Sequence, residues 1–317
     1  MNNRHHFPFR FTAKCFLALI IILICFGCTA DNYLKALNSI TSDNHYLKSE
    51  DLIYGSNHRQ KMDYYIPKLD EIKTKQSNLT IVFVFGGAWR SGSKDQYEFI
   101  ASALTREGHR VLIPNYRLYP EATLTMFQTD IANAIAALDR TLNESQTGST
   151  EQRSIVLMGH SSGAHQVALL FADKSHLRNA GVQSKIVGLI GLSGPYDLPL
   201  ELEEVSTVFP NVQDELQVNP VLRAKHISAN AYSSASVLLM HGTNDERVLP
   251  FHTTRFAEAL KNAGIKTQVH LLDGSHAGVV ISMAPSLHFL NDASTTVNTF
   301  LDSIVASLPA TVTTKMP

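Results

Sequence analysis

Short apolar runs alternate along the chain with longer stretches whose apolar positions recur three and four residues apart. Leu79 to Phe85 is a continuous β-branched and aromatic run ending in Gly86-Gly87, as a buried strand feeding a tight loop would. Arg110 to Pro114, Ile155 to Met158, Lys185 to Leu192, Val237 to Met240 and Thr267 to Leu272 read the same way. Phe127 to Leu142 has helical spacing through Ile131, Ile135 and Leu138. Further helical stretches fall at Ala164 to Ala172, at His252 to Asn262 and near the C-terminus. Parallel strands need a crossover about a helix long, so this alternation predicts an α/β protein with a mostly parallel sheet and helices on both faces.

The pattern sets in near Leu52 and frames one domain over residues 51–308, with 309–317 as a tail. Residues 29–50 are polar and mixed, without strand alternation, and read as a tether. Residues 198–234 separate two strands by more than an ordinary connection and read as a small cap insertion. Its acidic run Glu201, Glu203, Glu204 lies beside Val205, Val208 and Phe209. Two readings stay open for it, a solvated surface insertion and a cap that gates a pocket.

The start of the chain follows another logic. Arg4, Arg10 and Lys14 precede the apolar run Cys15 to Phe26, about a dozen residues, short of the roughly 20 that span a bilayer. That is the form of an export signal. The run ends in Gly27-Cys28, which resembles the lipobox of bacterial lipoproteins, although Cys25 stands where that motif usually has Leu. The resemblance implies a signal over 1–28, lipidation of Cys28 and a membrane-anchored envelope protein. With no Asp after the Cys, it implies the outer membrane in a Gram-negative host. An ordinary signal peptide or an uncleaved anchor is the alternative. The three cysteines are Cys15, Cys25 and Cys28, so the chain beyond Cys28 has no thiol for a disulfide or a Cys-ligated zinc site.

Composition narrows the function classes. Hydrophobic residues make up 44% and charged residues 17%, enough for a large core. The 27 Lys and Arg against 28 Asp and Glu leave no basic field for nucleic acid.

The candidate chemistry lies just past the predicted strand ends, where open α/β sheets place it. Gly159-His160-Ser161-Ser162-Gly163 is a G-x-S-x-G pentapeptide between a strand and a helix. Its flanking glycines let backbone approach closely around a serine on a sharp turn. A serine hydroxyl needs a base to act as nucleophile, and the base needs an orienting acid. Asp245 follows the strand ending at Met240, and His276 follows the strand ending at Leu272. Asp273 lies too near His276 in sequence to serve as the acid. Asp197, after the preceding strand, is the more serious rival, and His241 a rival base. Phe85-Gly86-Gly87-Ala88-Trp89 offers a loop whose backbone N–H groups, from Gly87 and Ala88 together with Ser162, would face an oxyanion.

Together these motifs resemble the carboxylesterase-type α/β hydrolases, in the branch with H-G-G-x-W loops. That branch includes feruloyl and acetyl-ester esterases, arylformamidases and prenylcysteine methylesterase-like proteins. The likeness runs from about Tyr54 to Phe300, through Lys61–Pro67, Asn115-Tyr116-Arg117-Leu118, Gly194-Pro195-Tyr196-Asp197 and Asn219-Pro220. Phe85 departs from it, standing where the loop has His. The resemblance implies the α/β-hydrolase fold and a serine esterase acting on small-molecule esters through Ser161, Asp245 and His276, without metal or organic cofactor. An amidase of arylformamidase or peptidase type would use the same residues. A non-catalytic envelope protein on this scaffold is the third possibility. The oligomeric state is not legible.

Overall fold

The computed structural model describes residues 34, 37–39, 45–68, 77, 79–145, 153–228, 232 and 234–308. Cys28, the segment 1–28 read as an export signal and the tail 309–317 lie outside the described residues. The strands are β1 (Tyr46–Ile53), β2 (Lys61–Pro67), β3 (Leu79–Val84), β4 (Arg110–Pro114), β5 (Ser154–His160), β6 (Lys185–Leu192), β7 (Ser236–Gly242) and β8 (Lys266–Leu272). The helices are α1 (Glu98–Arg106), α2 (Leu124–Ser145), α3 (Ser162–Ala172), α4 (Ser175–Ala180), α5 (Glu203–Val208), α6 (Pro220–Ala224), α7 (Phe251–Asn262), α8 (Gly278–Ile281) and α9 (Ala293–Ser307).

The strands form one eight-stranded sheet in the order β1-β2-β4-β3-β5-β6-β7-β8. β1 pairs antiparallel with β2 and β2 with β4, and the other pairs are parallel. From β3 the chain steps back to β4, then returns past β3 to β5 and continues outward to β8. Right-handed crossovers put α1 on one face for the backward step and α3 and α7 on the other for the outward steps. The reversal opens a crevice at the carboxyl ends of β3 and β5, and that is where the site lies.

Every residue of β3 and β5 is buried, which is why these strands read as unbroken apolar runs. β1 and β2 are additions to the strands the pattern predicts. In β1 the register slips between Ser49 and Leu52, and Asp51 there has φ 56°, so the two-residue period is broken by a bulge. In β2 the run is interrupted by Asp63, which is fully buried. The tether assigned to 29–50 is therefore too long: Tyr46 to Glu50 belong to the sheet. Leu37 is also buried against the core, and the Asn38 side chain accepts the Phe99 N–H at 3.0 Å.

Asp63 is balanced by Lys94, whose Nζ lies 2.9 Å from Asp63 Oδ1, 2.9 Å from Asp51 and 2.7 Å from Asp95. Burial alone would favour a neutral amine, but these carboxylates raise the Lys94 pKa above its ordinary value. The network ties the antiparallel edge to the turn at Ser93–Tyr97, just beyond the glycine loop. Replacing Lys94 with Ala leaves Asp63 buried without its closest counter-charge. The expected cost is about 3–5 kcal/mol of unfolding free energy, read from urea denaturation.

Candidate active site

β5 ends at His160 and α3 begins at Ser162, so Ser161 alone makes the turn, with φ 54° and ψ −125°. Side chains rarely occupy that region, and only close packing sustains it. A Cβ on Gly163 would lie 2.1 Å from the Val84 carbonyl oxygen, and one on Gly159 would lie 2.5 Å from that of Gly163. Only glycine permits these approaches. The Ser161 N–H donates to the Leu192 carbonyl at 2.9 Å, pinning the turn to β6.

The loops after β7 and β8 are stitched together, Thr243 N–H to Leu272 O at 2.9 Å and Asn244 N–H to Gly274 O at 3.1 Å. This carries Asp245 to His276, whose Nδ1 is 2.8 Å from Asp245 Oδ2 and whose Nε2 is 2.9 Å from Ser161 Oγ. A carboxylate accepts, so Nδ1 carries the proton and Nε2 is left to receive the serine's. From the other side His160 Nε2 donates to the His276 carbonyl at 3.1 Å. Burial, and then the neighbouring His276, push the His160 pKa down to about 3, which keeps that ring neutral.

Asp245 has a fully buried side chain. Burial favours its neutral form, but hydrogen bonds from His241, His276 and the Val248 N–H outweigh it and hold the carboxyl well below the usual range. Its rivals have other partners. Asp197 accepts from Asn219 at 3.0 Å and Arg255 at 2.5 Å, and Asp273 from Asn244 at 2.6 Å.

Gly87, Ala88 and Trp89 are consecutive residues at positive φ, 141°, 51° and 60°. A Cβ on Gly86 would come within 2.9 Å of Ser161 Cβ, so the glycine loop lies directly against the serine. Among the described residues, the N–H groups of Gly87, Ala88 and Ser162 meet no protein acceptor. Phe85 lies beneath the loop, stacked between Tyr116 at 4.9 Å and Tyr97 at 6.0 Å. Its ring thus supports the loop by packing.

One residue near the serine was missed by sequence reasoning, His165. Trp89 Nε1 donates to His165 Nδ1 at 3.3 Å, and His165 Nε2 donates to the Val218 carbonyl at 2.6 Å. Phe209 packs on the same Trp89 ring at 5.1 Å. The 198–234 insertion is thus packed through Val205, Val208 and Phe209, which are buried, while Glu201, Glu203 and Glu204 are exposed. His165 had a usable signal, lying four residues after Ser161 on the same helical face. His241, weighed from the sequence as a rival, sits behind Asp245 with Nε2 at 3.1 Å from Oδ2. Glu50, Asp63 and Asp95 are close enough to share a cation, but Lys48 and Lys94 already neutralise them.

A mostly parallel eight-stranded sheet with a strand–serine–helix turn at its switch point defines an α/β hydrolase of the esterase branch. The chain belongs to the BD-FAE family, whose model matches residues 62–260. It is 27% identical over 241 residues to the isoprenylcysteine α-carbonyl methylesterase of Arabidopsis thaliana, covering 70% of this chain and 55% of the relative. It is 28% identical over 230 residues to the kynurenine formamidase of Drosophila melanogaster, covering 70% of this chain and 72% of the relative. The chain spans 55% to 58% of the length of the plant methylesterases it matches. Among solved structures, an inhibited esterase B from Lactobacillus rhamnosis has a TM-score of 0.70 at 15% identity, covering 93% of this chain and 97% of the other, a likeness of fold.

The partners of the two aspartates separate their roles. Asp245→Asn is expected to lower kcat on p-nitrophenyl acetate by about 10⁴-fold, because the amide no longer selects the His276 tautomer. Asp197→Asn weakens a partly exposed pair and is expected to stay within about tenfold of wild type. Steady-state kinetics of both variants make the check.

Proposed function

We propose that the chain is a serine hydrolase that cleaves small carboxylic esters through an acyl-enzyme on Ser161. The observation that carries this reading is the unbroken line from Ser161 Oγ through His276 to Asp245, 2.9 and 2.8 Å long. His276 Nε2 takes the hydroxyl proton as Oγ attacks the ester carbonyl, and the Asp245 carboxylate stabilises the imidazolium. The oxyanion faces the N–H groups of Gly87, Ala88 and Ser162. Collapse expels the alcohol, which leaves with the proton from His276. Water then enters by the same route and frees the acid. Atoms and charges balance with water as the only co-reactant.

A small acyl group is favoured by the surroundings of the loop. Trp89 and Phe209 are both buried and pack on one another, so the cap is fastened down beside the serine. A formamide or amide substrate is the second reading, favoured by the likeness to kynurenine formamidase. The residues at the serine serve either leaving group, and a non-catalytic scaffold protein would use none of them.

Three measurements test the reading. A fluorophosphonate probe is expected to label the wild-type protein, and Ser161→Ala is expected to abolish labelling and cut kcat by about 10⁴–10⁶-fold with the fold intact. Labelling that survives in the Ala variant would move the nucleophile elsewhere. A panel of esters with acyl chains of two to twelve carbons, beside N-formyl and aminopeptide substrates, is expected to give the highest kcat/KM on short esters. A maximum on the formamide would select the second reading.

We also propose that the protein is exported and held in the membrane by a lipid on Cys28. Its support is the short apolar run ending in Gly27-Cys28 and the lack of any later cysteine. Each buried CH₂ of an acyl chain contributes about 0.8 kcal/mol, so two or more chains give stable anchoring where one gives only reversible binding. Wild-type protein is expected in the membrane fraction with palmitate label that Cys28→Ser removes. Recovery of unlabelled, soluble wild-type protein would count against the anchor.

A further inference from the structure

His241 has no part in the reaction as proposed, yet it is fully buried at the end of β7 against the residue that orients His276. Its Nε2 lies 2.8 Å from the Val248 carbonyl and 3.1 Å from Asp245 Oδ2. Both can only accept, so Nε2 carries a proton and shares it between them, whatever the charge on the ring. Its Nδ1 lies 2.7 Å from the Thr253 hydroxyl on α7, which sets the ring's orientation.

An ionised carboxylate has about four lone-pair sites. Asp245 Oδ1 accepts the N–H groups of Arg247 at 3.0 Å and Val248 at 2.9 Å, and Oδ2 accepts His276 at 2.8 Å. His241 is the fourth donor, and it shares its oxygen with His276. We propose that His241 is a positioning residue for the Ser161–His276–Asp245 line, completing the donor set that fixes the carboxylate and tempering the basicity of the oxygen that faces His276. The inference rests on the serine-hydrolase reading.

Two consequences follow from that geometry. Without the fourth donor the carboxylate can rotate away from His276, and the reaction slows while substrate binding is untouched. Oδ2 also has more charge to give to a His276 imidazolium, so the base is lost to protonation at a higher pH. The other titratable groups around the pair are His160 from β5, whose ring centroid is 5.0 Å from that of His276, and His252 from α7, which is flanked by Asp197 and Arg255. Burial holds His160 and His252 down to about 3 and about 4, so neither changes charge where the acid limb is read.

The experiment is the pH profile of kcat and kcat/KM on p-nitrophenyl acetate for wild type, His241→Phe, His241→Gln and Thr253→Val, after fluorophosphonate labelling of each. The Phe variant cannot donate. It is expected to lose about 10- to 100-fold in kcat with little change in KM, as other partners that orient a functional histidine do. Its acid limb is expected to move up by about half to one pH unit. The Gln variant, whose amide N–H reaches the same place, is expected to return the limb toward wild type. Thr253→Val is expected to shift it in the same direction as Phe but less, and this variant decides the matter if the Phe variant does not fold. An unshifted limb in both, even with a lower Tm, assigns His241 to packing alone and overturns the proposal, as does a Gln variant shifted as far as Phe. Wild-type protein that neither labels nor turns over would sink the serine-hydrolase reading itself, an outcome seen without any His241 variant.

Discussion

The site depends on holding one residue, Ser161, where a side chain does not belong. A φ of 54° costs about 1–3 kcal/mol and persists only where the surroundings leave no alternative. Here β5 and α3 leave none, because the closeness of Gly163 to the β3 carbonyls fixes the helix against the sheet. The hydroxyl therefore emerges at the top of the crevice, beside a glycine loop that also follows a central strand. The strain is borne by the best-buried part of the molecule, β3 and β5, whose residues are all inside.

The loops that complete the site are held by polar contacts. His276 is fastened on three sides, by Asp245 at Nδ1, by Ser161 at Nε2 and by His160 at its carbonyl. The Asp245 contact fixes the ring tautomer that the Ser161 contact requires. Neutral His160 donates to the His276 carbonyl, Asp245 accepts the Nδ1–H hydrogen bond, and Nε2 is left bare. The depressed pKa of Asp245 follows from the number of donors around a buried carboxylate, against the burial that would otherwise raise it.

Packing supports the glycine loop from beneath and above. The Phe85 ring continues an aromatic stack with Tyr97 and Tyr116. Trp89, at the other end, is gripped by His165 and Phe209, so the cap and the loop form one packed unit. The acidic residues of the cap face solvent because its valines and Phe209 face inward. A run that reads as a charged insertion is, in three dimensions, one face of a packed segment.

The parallel strands were legible because strands buried on both faces must be apolar throughout, and the G-x-S-x-G turn because its glycines answer to steric contacts within a few residues. The order Ser161, Asp245, His276 was legible for a related reason: each follows a strand that the pattern alone locates. The edge strands were not. A bulge at Asp51 removed the period of β1, and the Asp63 that interrupts β2 is tolerable only beside Lys94, distant in sequence and near in space. That Asp245, which the sequence reading favoured, meets His276 where Asp197 does not depends on which loop touches the β8 turn, a contact made by hydrogen bonds between neighbouring strand ends. His165 lies one turn after Ser161 and His241 at a strand end, but neither position names its partner. Their roles exist only because the sheet brings β7 to the Val248 loop and α3 to the cap, and such pairings belong to tertiary structure alone.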